Sequence, residues 1–140
     1  MSNTLVILCV DDEPTGLMVR RLLLSNAGHT VLTATSAEMA LRLFSCNRVD
    51  LVITDHLLPD ITGAELASEI KRLKPKVPVV LLTGLIDPPP GSECADLLLT
   101  KGMTLPEFLA EIAQLLSKAA DKSGRKNLIR GSRANRLEGK

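Results

Sequence analysis

The chain has 140 residues, 45% apolar and 1% aromatic, with a formal net charge of +1. That length suits one compact domain with a short appendage. Two Phe with no Tyr or Trp demand an aliphatic core and argue against base-stacking readout of single-stranded nucleic acid.

The first apolar run, residues 5–10, reads as a strand ending at two aspartates. It is too short for a membrane span or signal peptide and has no basic flank. Residues 14–27 read as a helix, with Val19, Leu22, Leu23 and Ala27 at helical spacing and Gly28 as the stop. A second strand is expected at 31–34. Ser36 then caps a helix carrying Met39, Ala40, Leu43 and Phe44 on one face. A third strand at 49–54 precedes a helix over 63–73, with Leu66, Ile70 and Leu73 inward and Pro75 as a breaker. The fourth strand is expected at 77–83. Pro88, Pro89 and Pro90 exclude a helix interior from the following link, so at best one turn survives there. A fifth strand at 96–100 leads to a helix over 104–116, opened by a Thr-Leu-Pro-Glu capping box and striped by Leu105, Phe108, Leu109, Ile112 and Leu116.

From Asp121 the pattern dissolves, and only Leu128, Ile129 and Leu137 are large and apolar. Charge divides at the same place. Residues 1–120 carry 10 Lys/Arg against 14 Asp/Glu, and residues 121–140 carry 7 against 2. The expected organisation is therefore an acidic body, 1–120, with a basic flexible tail, 121–140. Strands that are continuously apolar and alternate with helices imply an α/β fold: a doubly wound, five-stranded parallel sheet whose fourth helix is shortened or lost. Cys9, Cys46 and Cys94 have neither metal-ligand nor CxxC spacing and read as reduced small hydrophobes of a cytoplasmic protein.

In an open α/β sheet the site lies beyond the carboxyl ends of the strands. Those ends carry Asp11, Asp12 and Glu13, then Asp55, then Thr83, then Thr100 and Lys101. Clustered carboxylates repel unless a cation intervenes. A hard divalent ion such as Mg²⁺ suits oxygen ligands beside a phosphate, and no Cys/His set exists for zinc. A carboxylate in that setting is a nucleophile toward a phosphoryl donor. Lys101 and Thr83 are then placed to hold phosphoryl oxygens.

These residues resemble the receiver domain of bacterial two-component response regulators (CheY-like). The matching pieces are Val10 to Glu13, the stretch 55–63 (Asp-His-Leu-Leu-Pro-Asp-Ile-Thr-Gly), Leu81 to Gly84, and Lys101, within a similarity covering roughly residues 4–118. The resemblance implies strand order 2-1-3-4-5. It implies Asp12 as a direct Mg²⁺ ligand, Asp11 acting largely through water, and Asp55 and the backbone carbonyl of Leu57 completing the set. It implies that Asp55 takes a phosphoryl group from a sensor histidine kinase or phosphotransfer protein, that Thr83 signals the change and that Lys101 pairs with the phosphoryl oxygens. Pro59 and Gly63 would shape the loop after the acceptor. The protein would be a switch for an output partner, monomeric or weakly dimeric, catalysing only its own phosphoryl transfer and slow dephosphorylation.

Three departures stand out. Leu98 occupies the family's usual aromatic position, three residues before the lysine. Gly102 replaces the proline after it, and a cis bond there would cost about 2.5–4 kcal/mol, which favours a trans Lys101–Gly102. Leu57 and Leu85, at positions that tune dephosphorylation, cannot orient an attacking water, so a long-lived phosphoryl-aspartate is expected. The proline-rich link removes a helix that many receivers use for dimerisation or output. Two other readings compete: a pseudo-receiver that binds partners without phosphorylation, and an aspartyl phosphohydrolase, which Leu57 in place of a second Asp opposes. His56 adjoins Asp55 but should point away from it. His29 reads as structural. The basic tail reads as solvated rather than nucleic-acid-binding.

Overall fold

A computed structural model describes residues 4–84 and 87–124. The chain divides between Thr104 and Leu105 into two units, and the first holds the whole sheet. Its strands are β1 (Val6–Val10), β2 (Thr30–Ala34), β3 (Leu51–Asp55), β4 (Val79–Thr83) and β5 (Leu97–Thr100), each within two residues of the predicted start. All pair in parallel in the order β2-β1-β3-β4-β5. The helices of this unit are α1 (Pro14–Asn26), α2 (Ala37–Cys46) and α3 (Gly63–Leu73). The second unit holds α4 (Leu105–Gly124), in which Phe108 and Ile112 are buried. This helix continues four residues past the predicted body–tail boundary, and residues 125–140, with Leu128, Ile129 and Leu137, lie outside the described residues. No helix among the described residues is long and apolar enough to cross a membrane.

Strand alternation sorts the core into two faces. Leu8, Val10 and Val52 join Ala40, Phe44, Leu66 and Ile70 in one cluster beneath α2 and α3. Ile7, Cys9, Leu51 and Ile53 point to the opposite face, where α1 packs along β1 and β2. The inward stripe of α1 differs from the predicted one. Leu17 and Leu24 are buried with Arg20 between them, while Val19 is 40% and Leu22 51% exposed. A cation on the inner face breaks the apolar period, so counting apolar residues selects the outer surface instead.

The caps explain where the helices begin. The Glu13 side chain accepts from Gly16 N–H at the start of α1, and Ser36 Oγ accepts from Met39 N–H in α2. Thr62 and Glu65 form a reciprocal capping box on α3. Among its described residues the β4–β5 crossover contains one 3₁₀ turn, Ser92–Cys94, opened by Gly91 at φ +83°. This agrees with the limit set by the prolines. Cys94 packs on the core under α3, and Asp96 closes the crossover by accepting from Val79 N–H (2.7 Å) and Lys71 Nζ (2.9 Å).

Candidate functional site

Register brings the acidic residues together. Val10 pairs with Thr54, so the next residues, Asp11 and Asp55, emerge side by side from β1 and β3 at the carboxyl edge. One carboxylate oxygen from each of Asp11, Asp12 and Asp55 lies within 4.8 Å of the others. Asp11 and Asp55 are buried, and Asp12 is exposed. Among the described residues this is the one group of three or more metal-ligating side chains.

The basic partner arrives from β5. Lys101 N–H donates to the Thr83 carbonyl at 2.9 Å, carrying the parallel ladder one residue past the strand. From there Lys101 Nζ reaches Asp55 Oδ1 at 2.9 Å and lies 3.9 Å from Asp11 Oδ2. Thr83 closes β4 and is buried beside Leu82, the β4 residue in register with Asp55. Burial pushes the Asp55 carboxyl above the ordinary carboxylate range; the Lys101 hydrogen bond opposes that rise and the Asp11 charge adds to it.

The loop after Asp55 folds back on that residue. Gly63 N–H donates to the His56 carbonyl at 2.7 Å, and a Cβ on Gly63 would sit 2.2 Å from the Asp55 carbonyl oxygen. Only glycine permits that approach. Pro59 is exposed in this loop and Leu57 is 67% exposed. Leu85 lies outside the described residues. Leu98 is partly buried on β5 opposite Leu81. No cis peptide occurs among the described residues, so Lys101–Gly102 is trans. His56 is buried with its Nδ1 unpartnered, and His29 Nδ1 accepts from Leu5 N–H as a structural contact. Burial pushes the Cys9 thiol up to about 12, which makes it inert.

Two participants escaped the sequence reading. Arg20 donates from Nη2 to Asp11 Oδ2, while Asp11 Oδ1 accepts from Glu13 N–H at 2.9 Å. Asp60, in the loop after Asp55, accepts from Ala37 and Glu38 N–H at 3.0 and 2.9 Å and so ties that loop to the start of α2. For Arg20 the available signal was a cation interrupting an apolar stripe. For Asp60 there was none, because its partners lie over 20 residues away.

The donors are all carboxylate oxygens, two of them buried. That chemistry fits a hard divalent ion such as Mg²⁺ and does not fit zinc.

A doubly wound parallel sheet with a lysine-paired aspartate in an acidic cluster at its carboxyl edge is the arrangement of a signalling receiver domain. The chain belongs to the response regulator receiver domain family, which matches over residues 7–116. It is 31% identical to the alkaline phosphatase synthesis transcriptional regulatory protein PhoP of Bacillus subtilis over 128 residues, 86% of this chain and 53% of the relative. It is 39% identical to the transcriptional regulatory protein GlrR of Escherichia coli over 77 residues, 55% of this chain but 17% of that protein. The chain thus spans about half or less of the length of these relatives. The crystal structure of the response regulator TrrA from Thermotoga maritima, in complex with Mg²⁺ and BeF, superposes with a TM-score of 0.75 at 32% identity, covering 80% of this chain and 99% of that one.

Proposed function

We propose that Asp55 accepts a phosphoryl group from the phosphohistidine of a sensor histidine kinase or phosphotransfer protein, and that the change alters binding to an output partner. One observation carries this reading: a buried aspartate held at 2.9 Å by Lys101, within 4.8 Å of two further carboxylates. An Asp55 carboxylate oxygen forms the bond to phosphorus while the bond from phosphorus to the donor imidazole nitrogen breaks. The nitrogen keeps the electron pair. Asp11, Asp12, Asp55 and the Leu57 carbonyl would hold Mg²⁺, which supplies neutralisation of charge on the transferring group. Lys101 is placed to move from the carboxylate to a phosphoryl oxygen, and Thr83 to donate to another. The TrrA complex with Mg²⁺ and BeF supports this assignment by analogy.

Acetyl phosphate with Mg²⁺ tests it. The expected result is incorporation of one phosphoryl group per chain, abolished in Asp55→Asn with the fold intact. Partner binding unaffected by phosphodonor, in a chain that takes up no phosphoryl group, would instead establish the pseudo-receiver. The rebuilt β4–β5 crossover is the observation favouring that reading.

A further inference from the structure

The most unusual group near the pocket is a charge on the wrong face of a helix. Arg20 lies in line with Leu17 and Leu24 on the buried side of α1, and its side chain is only 14% exposed. Helical side chains lean toward the N-terminus, which here means toward Asp11. Gly16 lies one turn earlier on the same face. A methyl there would already touch Glu13 Oε1, Asp11 Oδ2 and Arg20 Nη2 at 3.3, 3.4 and 3.5 Å, and a longer side chain would enter the space of the guanidinium. Gly16, in the first turn of the helix, leaves this space open to the guanidinium.

The charge count gives the arrangement its meaning. Three carboxylates and Lys101 leave a pocket of charge −2, which one divalent ion neutralises. Arg20 adds a positive charge directly on Asp11, offset in part by the Glu13 carboxylate whose Oε1 faces the same Gly16 position, so the guanidinium and an incoming ion compete for Asp11. Arg20 also occupies the Asp11 oxygen that lies on the Lys101 side of the pocket, while the other oxygen is taken by Glu13 N–H. We propose that Arg20 is a resident counter-ion of the pocket, which must release or share Asp11 when a divalent ion binds, and which thereby sets the affinity for that ion. This rests on the acceptor reading above. Arg20 is a positioning residue here: it acts through Asp11. A removable internal cation keeps the two buried carboxylates compatible with folding before the ion arrives, and it raises the ion concentration needed for occupancy.

The test needs no phosphorylation. Mg²⁺ binding is measured by calorimetry and by the rise of Tm with Mg²⁺ concentration, for the whole chain and for Arg20→Met, Arg20→Gln and Arg20→Lys. Arg20→Met should bind Mg²⁺ at least about tenfold more tightly, equivalent to ~1.4 kcal/mol. Its metal-free Tm should be lower than that of the unsubstituted chain, and saturating Mg²⁺ should close most of the gap. Arg20→Gln keeps an N–H donor without the charge and carries the same affinity expectation if the Met variant fails to fold. Arg20→Lys should bind within about threefold of the unsubstituted chain, well under the tenfold step of ~1.4 kcal/mol. Unchanged or weaker Mg²⁺ binding in both neutral variants overturns the role of Arg20 alone. Absence of Mg²⁺ binding in every chain, Asp55 intact, overturns the acceptor reading and this inference with it.

Discussion

Helices α1 and α3 leave the same edge of the sheet, one just after the aspartates that follow β1 and the other after Asp55 at the end of β3, and they are built to opposite specifications. α3 opens with a complete capping box, buries Leu66, Ala67 and Ile70 in the core, and places Lys71 and Arg72 in its last turn. Each of these features is a stabilising one. α1 has no acidic residue in its first turn and no basic one in its last, and it buries an arginine between two leucines. It also carries a glycine in its first turn, one turn before that arginine. The contrast teaches that α3 is a structural wall whose position fixes the loop after Asp55, whereas α1 surrenders intrinsic stability to bring charge to Asp11.

The two glycines at these helix starts make the comparison breakable. Gly63→Ala should be the most damaging single substitution discussed here. Its Cβ would meet the Asp55 carbonyl oxygen at 2.2 Å and His56 Cα at 2.8 Å, and backbone on both sides must move. We expect a loss of about 2–4 kcal/mol in urea unfolding; a loss below 0.5 kcal/mol, taken as about the size of a surface substitution, would mean that the wall yields easily.

Cys9 probes the sheet face under α1. Its thiol is pushed from 9.0 to about 12, chiefly by burial, with Arg20 opposing. The folded chain retains a proton that the unfolded chain loses, so this contribution is complete below pH 9 and disappears as pH rises toward 12. Unfolding free energy should fall through that window with a Cys9 share of up to about 1.4 kcal/mol per pH unit. Cys9→Ala should show a shallower alkaline decline than the unsubstituted chain, and identical slopes would remove Cys9 from the account.

Gly16→Ala should be the mildest. Its new methyl meets only side-chain ends at 3.3–3.5 Å, and alanine gains about 1 kcal/mol of helix preference. A net change within about 1 kcal/mol is expected, and a loss comparable to that of Gly63→Ala would erase the distinction between the two helices.

The same contrast explains what could be read in advance. α3 was legible to within a residue because local preference and tertiary role agree there. The strands were legible because continuous Val, Ile and Leu runs leave few alternatives, and the acidic set because every member sits at a strand end. The triple proline correctly limited the crossover to one turn. The inner face of α1 was misread because Arg20 breaks the apolar period, and such breaks fall where function overrides packing. The Asp60 tie to α2 and the Thr62–Glu65 box differ in kind. The first joins residues distant in the chain and has no local signature, while the second has the Thr-x-x-Glu spacing of a capping box.

Leu57 lies two residues after Asp55, largely exposed, in a chain without tryptophan or tyrosine. The protein is therefore close to dark under ultraviolet excitation. An indole installed at that position would be its sole strong emitter, two residues from Asp55. Optical spectroscopy of ion and phosphoryl occupancy would then start from almost no background.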